Sequence, residues 1–575
     1  MWNIKKLIIF FIIFNLFLLS SLHSKLVIIW TQQYNGKYND ISYDIALDKS
    51  GNVYITGAST NGANWDYFTI SYSNKTGGIR WTNRYDSGNN EWAQGIAVDN
   101  SSNVYVTGTK WSGIPKFDYF TIKYTNGNIC WSNQYNNGPG NKHDLSFSID
   151  VDNSGYVYVT GASSNGTGFD YCTIKYDAKN GNGIWTNRYD SGANDGAYSI
   201  AVDNQGHIYV TGASSNSLNS DYFTISYSNS GTINWTNRYD SGANDVAYSI
   251  AVDTNFDCIY ATGTTEKGGN LDCLTIKYDP STETIVWDKK YGTGSRNESA
   301  QDITVDRLGY IYIAGWIEKG GNNTNFLILK YDPEKNDPIW AEEYDSGNTD
   351  KAYGIAVDSA GYIYVTGTKH NGTDYDYFTI KYLQSPYPNP SSLSATIISN
   401  NVKLSWNDTT INESGFKIYR REDGTFFSVI GTTSSNISYF QDTNISEGSK
   451  YWYYVIATNK AGQSEPSNIA ECEIPGPSTY SIDDIVAGPN PFNPSKGEGD
   501  EDEGIIFDNV PSDAVIKIYT LSGSLVITLK GSESSKKVPW KLINQSGKEC
   551  ASGIYICRIT DSNGKEKIIK LVIIR

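Results

Sequence analysis

The chain repeats one stretch of about 50 residues seven times, which restricts it to architectures built from one recurring unit. Four landmarks recur in a constant order. The first is a tryptophan: Trp30, Trp81, Trp131, Trp185, Trp235, Trp287 and Trp340. The second is an alternating run ending in aspartate, at Asp48, Asp99, Asp152, Asp203, Asp253, Asp306 and Asp358. The third is YITG or a variant, ending at Gly57, Gly108, Gly161, Gly212, Gly263, Gly315 and Gly367. The fourth is DYFTIKY or a variant, ending at Tyr72, Tyr124, Tyr176, Tyr227, Tyr278, Tyr331 and Tyr382.

Each landmark reads as a short strand. In Tyr198, Ser199, Ile200, Ala201 and Val202, large and small side chains alternate, and a period of two sends them to opposite faces. Clusters of Asn, Asp and Gly, such as residues 203–206, separate the runs and make tight turns. One repeat is therefore a four-stranded antiparallel meander. Such a sheet has two apolar faces and cannot bury both alone. Stacking copies around an axis buries them and leaves only short edges, which is a β-propeller. The fold class expected is all-β: a seven-bladed β-propeller over residues 25–385, then two β-sandwich, immunoglobulin-like domains over 386–476 and 484–575.

The seventh copy ends at Tyr382 without the Trp strand that follows the other six. That strand stands instead at residues 26–30, where it is expected to complete the last blade. Closing so long a loop costs roughly 5 kcal/mol. Burial of the large apolar side chains of LVIIW at roughly 1.5–3 kcal/mol each is expected to exceed that cost.

The series IAVD…GYIYVTG…DYFTIKY…W resembles the SBBP beta-propeller repeats of bacterial exported proteins, over residues 26–382. The resemblance implies the fold and leaves the activity open, because propellers host many functions.

The net charge of −16 and a pI near 4.8 weigh against nucleic acid or anionic lipid as the main partner. Seven cysteines make an odd number without framework spacing, so free thiols are expected. Residues 1–24 begin with Lys5 and Lys6 and continue as an apolar run from 7 to 22. They read as a signal peptide cut near Ser24, leaving no stable membrane span.

Loop lengths within the repeats are regular. Trp and the Asp landmark stand 18 residues apart in five copies, 19 in the sixth and 21 in the third. Regular loops weigh against catalysis, which gathers acids, bases and nucleophiles on distinctive ones. The longest loop, NNGPGNKHD, carries His143 beside Asp144, without the spaced partners that zinc requires. The DSGAND loops recur at 190–195 and 240–245. Their Asp190, Asn194, Asp195, Asp240, Asn244 and Asp245 join His143 and Asp144 as the candidate ligand-binding residues. Such groups suit calcium, a hard cation with oxygen ligands. They suit Asx turns equally. The spacing of a calcium loop is absent, so the turn reading is preferred and no metal or cofactor is assigned. These loops and those between YVTG and DYFTIKY emerge on one face of the ring, where binding is expected.

Composition shifts at Ser385. SPYPNP, residues 385–390, reads as a stiff extended linker. Alternating runs at 402–406, 416–419 and 451–457 follow, and their series resembles a fibronectin type III domain. The resemblance implies that Tyr451 is a corner tyrosine and that Trp406 is a buried core tryptophan; the module itself is read as a spacer. A second linker, 475–477, leads to PNPFNP at 489–494, an acidic run at 498–503 read as a solvated loop, IYTLSG at 518–523, Trp540 and SGIY at 552–555. This series resembles the C-terminal sorting domains of type IX secretion cargo and the immunoglobulin-like domain of flagellar hook-capping proteins. It implies contact with the secretion machinery. The apolar terminal run at 570–574 is expected to lie exposed, free to pair with a receptor's sheet edge.

The function expected is that of an exported, cell-surface or secreted protein that is not an enzyme, with a propeller that binds an extracellular glycan or protein ligand. The alternative is a secreted hydrolase or lyase acting on polysaccharide.

Overall fold

The computed structural model describes residues 26–113, 116–138, 142–216, 218–292, 294–321, 323–398, 401–474, 481–493, 504–532 and 535–575. The signal segment, the 475–477 linker and the acidic run lie outside them. The protein is all-β. Among the described residues, helix is confined to one 3-10 turn at Ile482–Asp484.

The repeats form seven four-stranded antiparallel sheets, sheets 1–7, in chain order. Sheet 4 is typical, with strands Asp195–Val202, Ile208–Ser215, Ser220–Tyr227 and Ile233–Tyr239. The first strand of each sheet touches the first strand of the next. The first strand of sheet 7, Asp350–Val357, touches that of sheet 1, Asp40–Leu47, so the contacts run in a ring.

Each landmark has a physical reason. The aspartate ending the first strand folds the following turn. Asp203 Oδ1 accepts the N–H groups of Gln205 and His207 at 2.8 Å. Its Oδ2 accepts the Tyr209 hydroxyl at 3.2 Å. The same Asp–Tyr pair recurs in sheets 1, 2, 3, 6 and 7. The glycine of YVTG faces a β-bulge in the first strand, as at Ala197/Ser199 in sheet 4. A Cβ on Gly212 would stand 2.0 Å from the Gly196 carbonyl oxygen, so no other residue is accommodated there. The tyrosine of DYFTIKY locks adjacent sheets. Tyr67, Tyr119, Tyr171, Tyr222 and Tyr377 each donate to a third-strand carbonyl of the following sheet at 2.8–3.0 Å. These tyrosines are fully buried or nearly so, and a buried hydroxyl without such a bond would cost about 1–3 kcal/mol.

The N-terminal strand Leu26–Tyr34 pairs antiparallel with Tyr375–Gln384 and supplies the fourth strand of sheet 7. Its apolar contribution differs from the sequence expectation. Leu26 and Trp30 are buried, but Ile28 and Ile29 are 45% and 41% exposed. A fourth strand is the sheet's outer edge and turns one face to solvent. The corresponding Ile79, Ile129, Ile184 and Ile233 are exposed for the same reason.

Residues 385–390, read as a stiff extended linker, also dock on the repeats. Tyr387 is buried, and its hydroxyl donates to Asp306 Oδ2 at 2.7 Å. The buried Lys330 ammonium stands 3.1 Å from the Tyr387 ring centroid and donates to Gln384 Oε1 at 2.8 Å. Sheets 2, 3 and 7 pin such a lysine on the next sheet's third-to-fourth-strand turn. Sheet 7 has no such turn, because its fourth strand comes from the N-terminus, and the 384–387 segment takes the turn's place.

Two further β units follow. In the first, the sheets containing Asn401–Asn407 and Lys450–Asn459 share one core around Trp406, Phe416, Tyr451 and Tyr453. In the second, the sheets containing Ile505–Asp508 and Gly553–Thr560 share a core around Phe492, Phe507, Trp540 and Leu571. The terminal strand Glu566–Ile573 is not free to recruit a partner. It pairs with Gly553–Thr560 on one side. On its other side Phe492 N–H donates to Val572 O and Ile574 N–H donates to Phe492 O, both at 2.8 Å. Asn490 also accepts the Val572 N–H at 2.9 Å. The expected open edge is thus covered by the PNPF segment, 80 residues upstream of Lys570 at Asn490.

Candidate functional site

The candidate loop residues divide by burial. Asp195 and Asp245 begin first strands and are buried. Asp195 accepts the Ser191 N–H at 2.7 Å and hydroxyl at 2.8 Å; Asp245 accepts the same groups of Ser241 at 2.8 and 3.0 Å. Both cap their own loops and offer little to a ligand. Asp190 and Asp240 are exposed, and each accepts a glycine N–H two residues on at 2.7 Å, an Asx turn. Asn194 accepts the Phe169 N–H at 3.1 Å, and Asn244 bonds Glu266 at 2.9 Å. Side-chain oxygens of Asp221, Asp240 and Asp245 lie within 4.8 Å of one another, as do those of Asp66, Asp86 and Glu91. Arg238 and Asn219 already donate into the first group, and Arg84 and Asn64 into the second. Protein cations and amides thus already serve carboxylates of both triads.

Asp144 behaves like Asp195: it is buried and accepts the Asn137 N–H at 2.9 Å. His143 turns instead to an aromatic group. Its ring stands 5.6 Å from Phe117, which contacts Trp111 at 4.7 Å and Trp92 at 5.6 Å. All four rings are half-buried. The sequence signal for this group was present but unread: Trp92 and Trp111 occupy positions where most other copies carry smaller side chains.

A larger feature lies on the ring's axis. Tyr43, Phe147, Tyr198, Tyr248 and Tyr353 occupy the same position of five first strands, with Gln94 and Gln301 in the other two. All seven are half-buried. Neighbouring rings touch: Tyr43–Tyr353 at 5.7 Å, Phe147–Tyr198 at 5.4 Å and Tyr198–Tyr248 at 5.9 Å. The belt sits three to four residues inside the ends where the DSGAND-type loops enter. Burial, with Tyr353 second, pushes the Tyr43 phenol up to about 12.

Carboxylates lie beyond the belt. The Ile45 and Ile96 N–H groups donate to Asp44 at 2.7 and 2.8 Å. Asp302 accepts the Ile303 and Ile355 N–H groups and the Ser249 hydroxyl. Asp150 accepts the Val151 and Val202 N–H groups. Each thereby staples its own first strand to that of a neighbouring sheet. Desolvation by burial dominates their titration. It pushes Asp150 and Asp302 up to about 6, and Asp44, which also feels the Asp302 charge, well above the usual carboxylate range. Sequence reading passed over these three residues, because each stands in a strand where alternation alone does not tell axis from core.

The sequence matches the SBBP beta-propeller repeat model over residues 29–64, 86–114 and 345–368. No curated protein matches the chain. Among solved structures, an Fn3-like protein from Clostridium thermocellum is 26% identical over 15% of this chain and 93% of its own, with a TM-score of 0.14. PorZ, a bacterial surface component of the type IX secretion system of Porphyromonas gingivalis, is 14% identical over 92% of this chain and 74% of its own, with a TM-score of 0.25. Sqt1 of Chaetomium thermophilum, bound to the N-terminus of ribosomal protein L10, is 10% identical over 61% of this chain and 98% of its own, with a TM-score of 0.39. At such TM-scores none of these likenesses bears on fold or function.

Proposed function

We propose that the chain is an exported, non-catalytic binding scaffold. Its repeats make a seven-bladed β-propeller with an aromatic-lined axial opening that takes an extracellular glycan or protein. Two immunoglobulin-like modules follow, the first of fibronectin type III kind and the second a sorting domain that engages the secretion machinery. The observation that carries the reading is the half-buried belt of Tyr43, Phe147, Tyr198, Tyr248 and Tyr353 on the loop-bearing face. Aromatic faces beside hydroxyls suit sugar rings and peptide side chains alike, and several weak contacts around one ring add through multivalency. The fibronectin-like reading is supported by Trp406, which packs on Phe416 at 5.4 Å, and by Tyr451, whose hydroxyl oxygen accepts the Ser446 N–H at 2.9 Å. Export is supported by residues 1–24, and no helix among the described residues is long and apolar enough to cross a membrane. The polysaccharide-cleaving alternative would call on Asp44 and Asp302. Backbone N–H groups engage both oxygens of each, which favours a structural role.

The test is a glycan and protein binding screen of the purified protein, with and without calcium. Replacing Tyr198 and Tyr248 together by Ala should weaken any captured ligand by about tenfold or more. Replacing Asp190, Asn194, Asp240 and Asn244 by Ala should weaken it only a few-fold, with a melting shift of a few degrees from lost turn bonds of about 1 kcal/mol each. If the loop variant abolishes binding and the tyrosine variant leaves it intact, the axial reading is wrong.

The sorting role has its own test. Residues 484–575, fused to a reporter with the signal segment in a host with type IX secretion, should carry the reporter outside the cell. Retention in the periplasm would leave the last unit with a purely structural role.

A further inference from the structure

The junction between sheets 5 and 6 carries the lysine and tryptophan of an interlock that three other junctions make, but does not form it. At the junctions of sheets 2 and 3, 3 and 4, and 7 and 1, a third-strand lysine and a fourth-strand tryptophan converge on one turn carbonyl of the next sheet. Lys123 and Trp131 donate to Ala178 O at 2.8 and 3.1 Å, Lys175 and Trp185 to Asn229 O at 3.2 and 3.1 Å, and Lys381 and Trp30 to Asn74 O at 2.9 and 3.2 Å. In sheet 5 the corresponding residues are Lys277 and Trp287. Trp287 Nε1 is buried without a partner. Lys277 lies beside Cys258 and 5.8 Å from the Tyr260 ring centroid. The cause is local. Lys289 replaces the asparagine found at 83, 133 and 187, and its ammonium draws in the carbonyls of Asp332, Pro333 and Lys335.

A second departure lies in the same place. The turn after Asp253 is one residue longer, so Tyr260 falls seven positions on rather than six. Asp253 Oδ1 still caps the turn, accepting the Asn255 and Phe256 N–H groups at 3.0 and 3.2 Å. Its Oδ2 has lost the tyrosine and has no partner, although Asp253 is 3% exposed. A Cβ on Gly309 of sheet 6 would stand 3.3 Å from that oxygen, so the oxygen points into the junction. A cavity of about 350 Å³ opens there, lined by Asp253, Phe256, Lys277, Leu308, Tyr310 and Pro333, with two further carboxylates, Asp332 and Glu334. It lies on the face opposite the DSGAND loops.

We propose that this cavity is a binding site for a neutral polyhydroxylated ring, a single sugar unit. Asp253 can only accept and Lys277 can only donate. An anion is repelled by Asp253, Asp332 and Glu334, and beside the buried Asp253 oxygen a cation is opposed by Lys277, while Asp332 already faces Lys335 at 3.5 Å and Glu334 is exposed at the rim. A hydroxyl both donates and accepts, so vicinal hydroxyls satisfy both groups without burying a net charge. Phe256, Tyr310, Leu308 and Pro333 provide the apolar wall for the C–H face of the ring.

The test uses the full chain with glucose, galactose, mannose and N-acetylglucosamine as probes, and glycine and glutamate as zwitterionic comparators. Saturation-transfer NMR and titration read the affinity. At least one sugar should bind. Asp253→Asn keeps an amide oxygen to cap the turn but replaces the free acceptor with a donor. It should weaken that sugar by about tenfold with the melting temperature nearly unchanged. Lys277→Met should weaken it by a similar factor and serves as the second variant if the first is unstable. Tyr198→Ala, on the opposite face, should leave this binding unchanged and separates the site from the axial opening. The proposal is overturned if none of the four sugars binds, if only the amino acids do, or if both cavity variants keep the parent affinity.

Discussion

Removal of residues 26–34 should lower the melting temperature of the repeat region by roughly 10–20 °C and make it aggregate. The deletion strips Leu26 from the core shared with sheet 6 and Trp30 from the core shared with sheet 1. Two such side chains are worth roughly 1.5–3 kcal/mol each. The strand also contributes a ladder with Tyr375–Gln384 running from Leu26↔Gln384 to Tyr34↔Tyr377. Its contacts reach sheet 1: Trp30 Nε1 donates to Asn74 O at 3.2 Å, and the Tyr34 ring stacks on Phe68 at 4.3 Å. Their sum, with net hydrogen bonds at about 1 kcal/mol, is on the order of 5–10 kcal/mol. At about 2 °C per kcal/mol for a domain larger than 150–250 residues, the stated shift follows. The exposed edge of Tyr375–Gln384 would then template intermolecular pairing. Calorimetry with light scattering checks both effects. Melting within a couple of degrees of the parent would show that the ladder and its two buried side chains do not carry the closure. The double variant Leu26→Ala, Trp30→Ala should reproduce about half of the shift without the aggregation, because the edge stays paired.

The repeats were legible because every landmark residue makes a contact that recurs. The YVTG glycine marks a bulge, the terminal aspartate a turn, and the DYFTIKY tyrosine a bond to the next sheet. Any copy therefore predicts the others. What escaped the sequence lies where identical residue types serve different ends. In DSGAND, Asp190 and Asp195 look equivalent, yet the first is exposed and the second is a buried cap. The chemistry of a carboxylate does not announce its solvent access. Alternation places Tyr198 and Ile200 on different faces but does not say which face meets the axis, since that follows from ring closure. Contacts between distant segments were also hidden. Asn490 and Phe492 cover the terminal strand, and Tyr387 docks on Asp306, through bonds whose partners stand some 80 residues away. Departures from the repeat carried more information than the repeat itself. The longer turn at 253–260 and Lys289 are visible as misalignments, but the cavity that they open is not.

The repeat region should gain stability as the pH falls from 7.5 toward 5.5, opposite to the usual acid response of a protein with paired carboxylates. The sign follows from the direction of the shifts. Burial raises Asp40, Asp150 and Asp302 to about 6 and Asp44 well above the usual carboxylate range, whereas the unfolded chain titrates near the ordinary aspartate value of 3.8. Between those values the folded state holds more protons than the unfolded one, so unfolding becomes harder as protons are added. The gain begins as the pH drops through the raised values and is complete only near the unfolded value. Lys330 opposes these carboxylates, because burial lowers its ammonium well below the usual lysine range and the unfolded chain therefore takes its proton more readily. Asp48 is lowered by its turn bonds, but it releases stability only below the ordinary range. A shift of one pKa unit corresponds to about 1.4 kcal/mol, so three axial carboxylates could raise the melting temperature by several degrees. Melting curves in chelator at pH 7.5, 6.5 and 5.5 read the effect. The variants Asp44→Asn, Asp150→Asn and Asp302→Asn, combined, identify its source. An amide has one acceptor oxygen and cannot take both N–H groups that Asp44 or Asp150 takes, so the triple variant need not be more stable at neutral pH. The slope against pH is the informative quantity, and it should flatten whatever the absolute value does. A melting temperature that falls with acid in the parent, or a slope unchanged in the triple variant, would mean that water and counterions reach the axis well enough to keep these carboxylates ordinary.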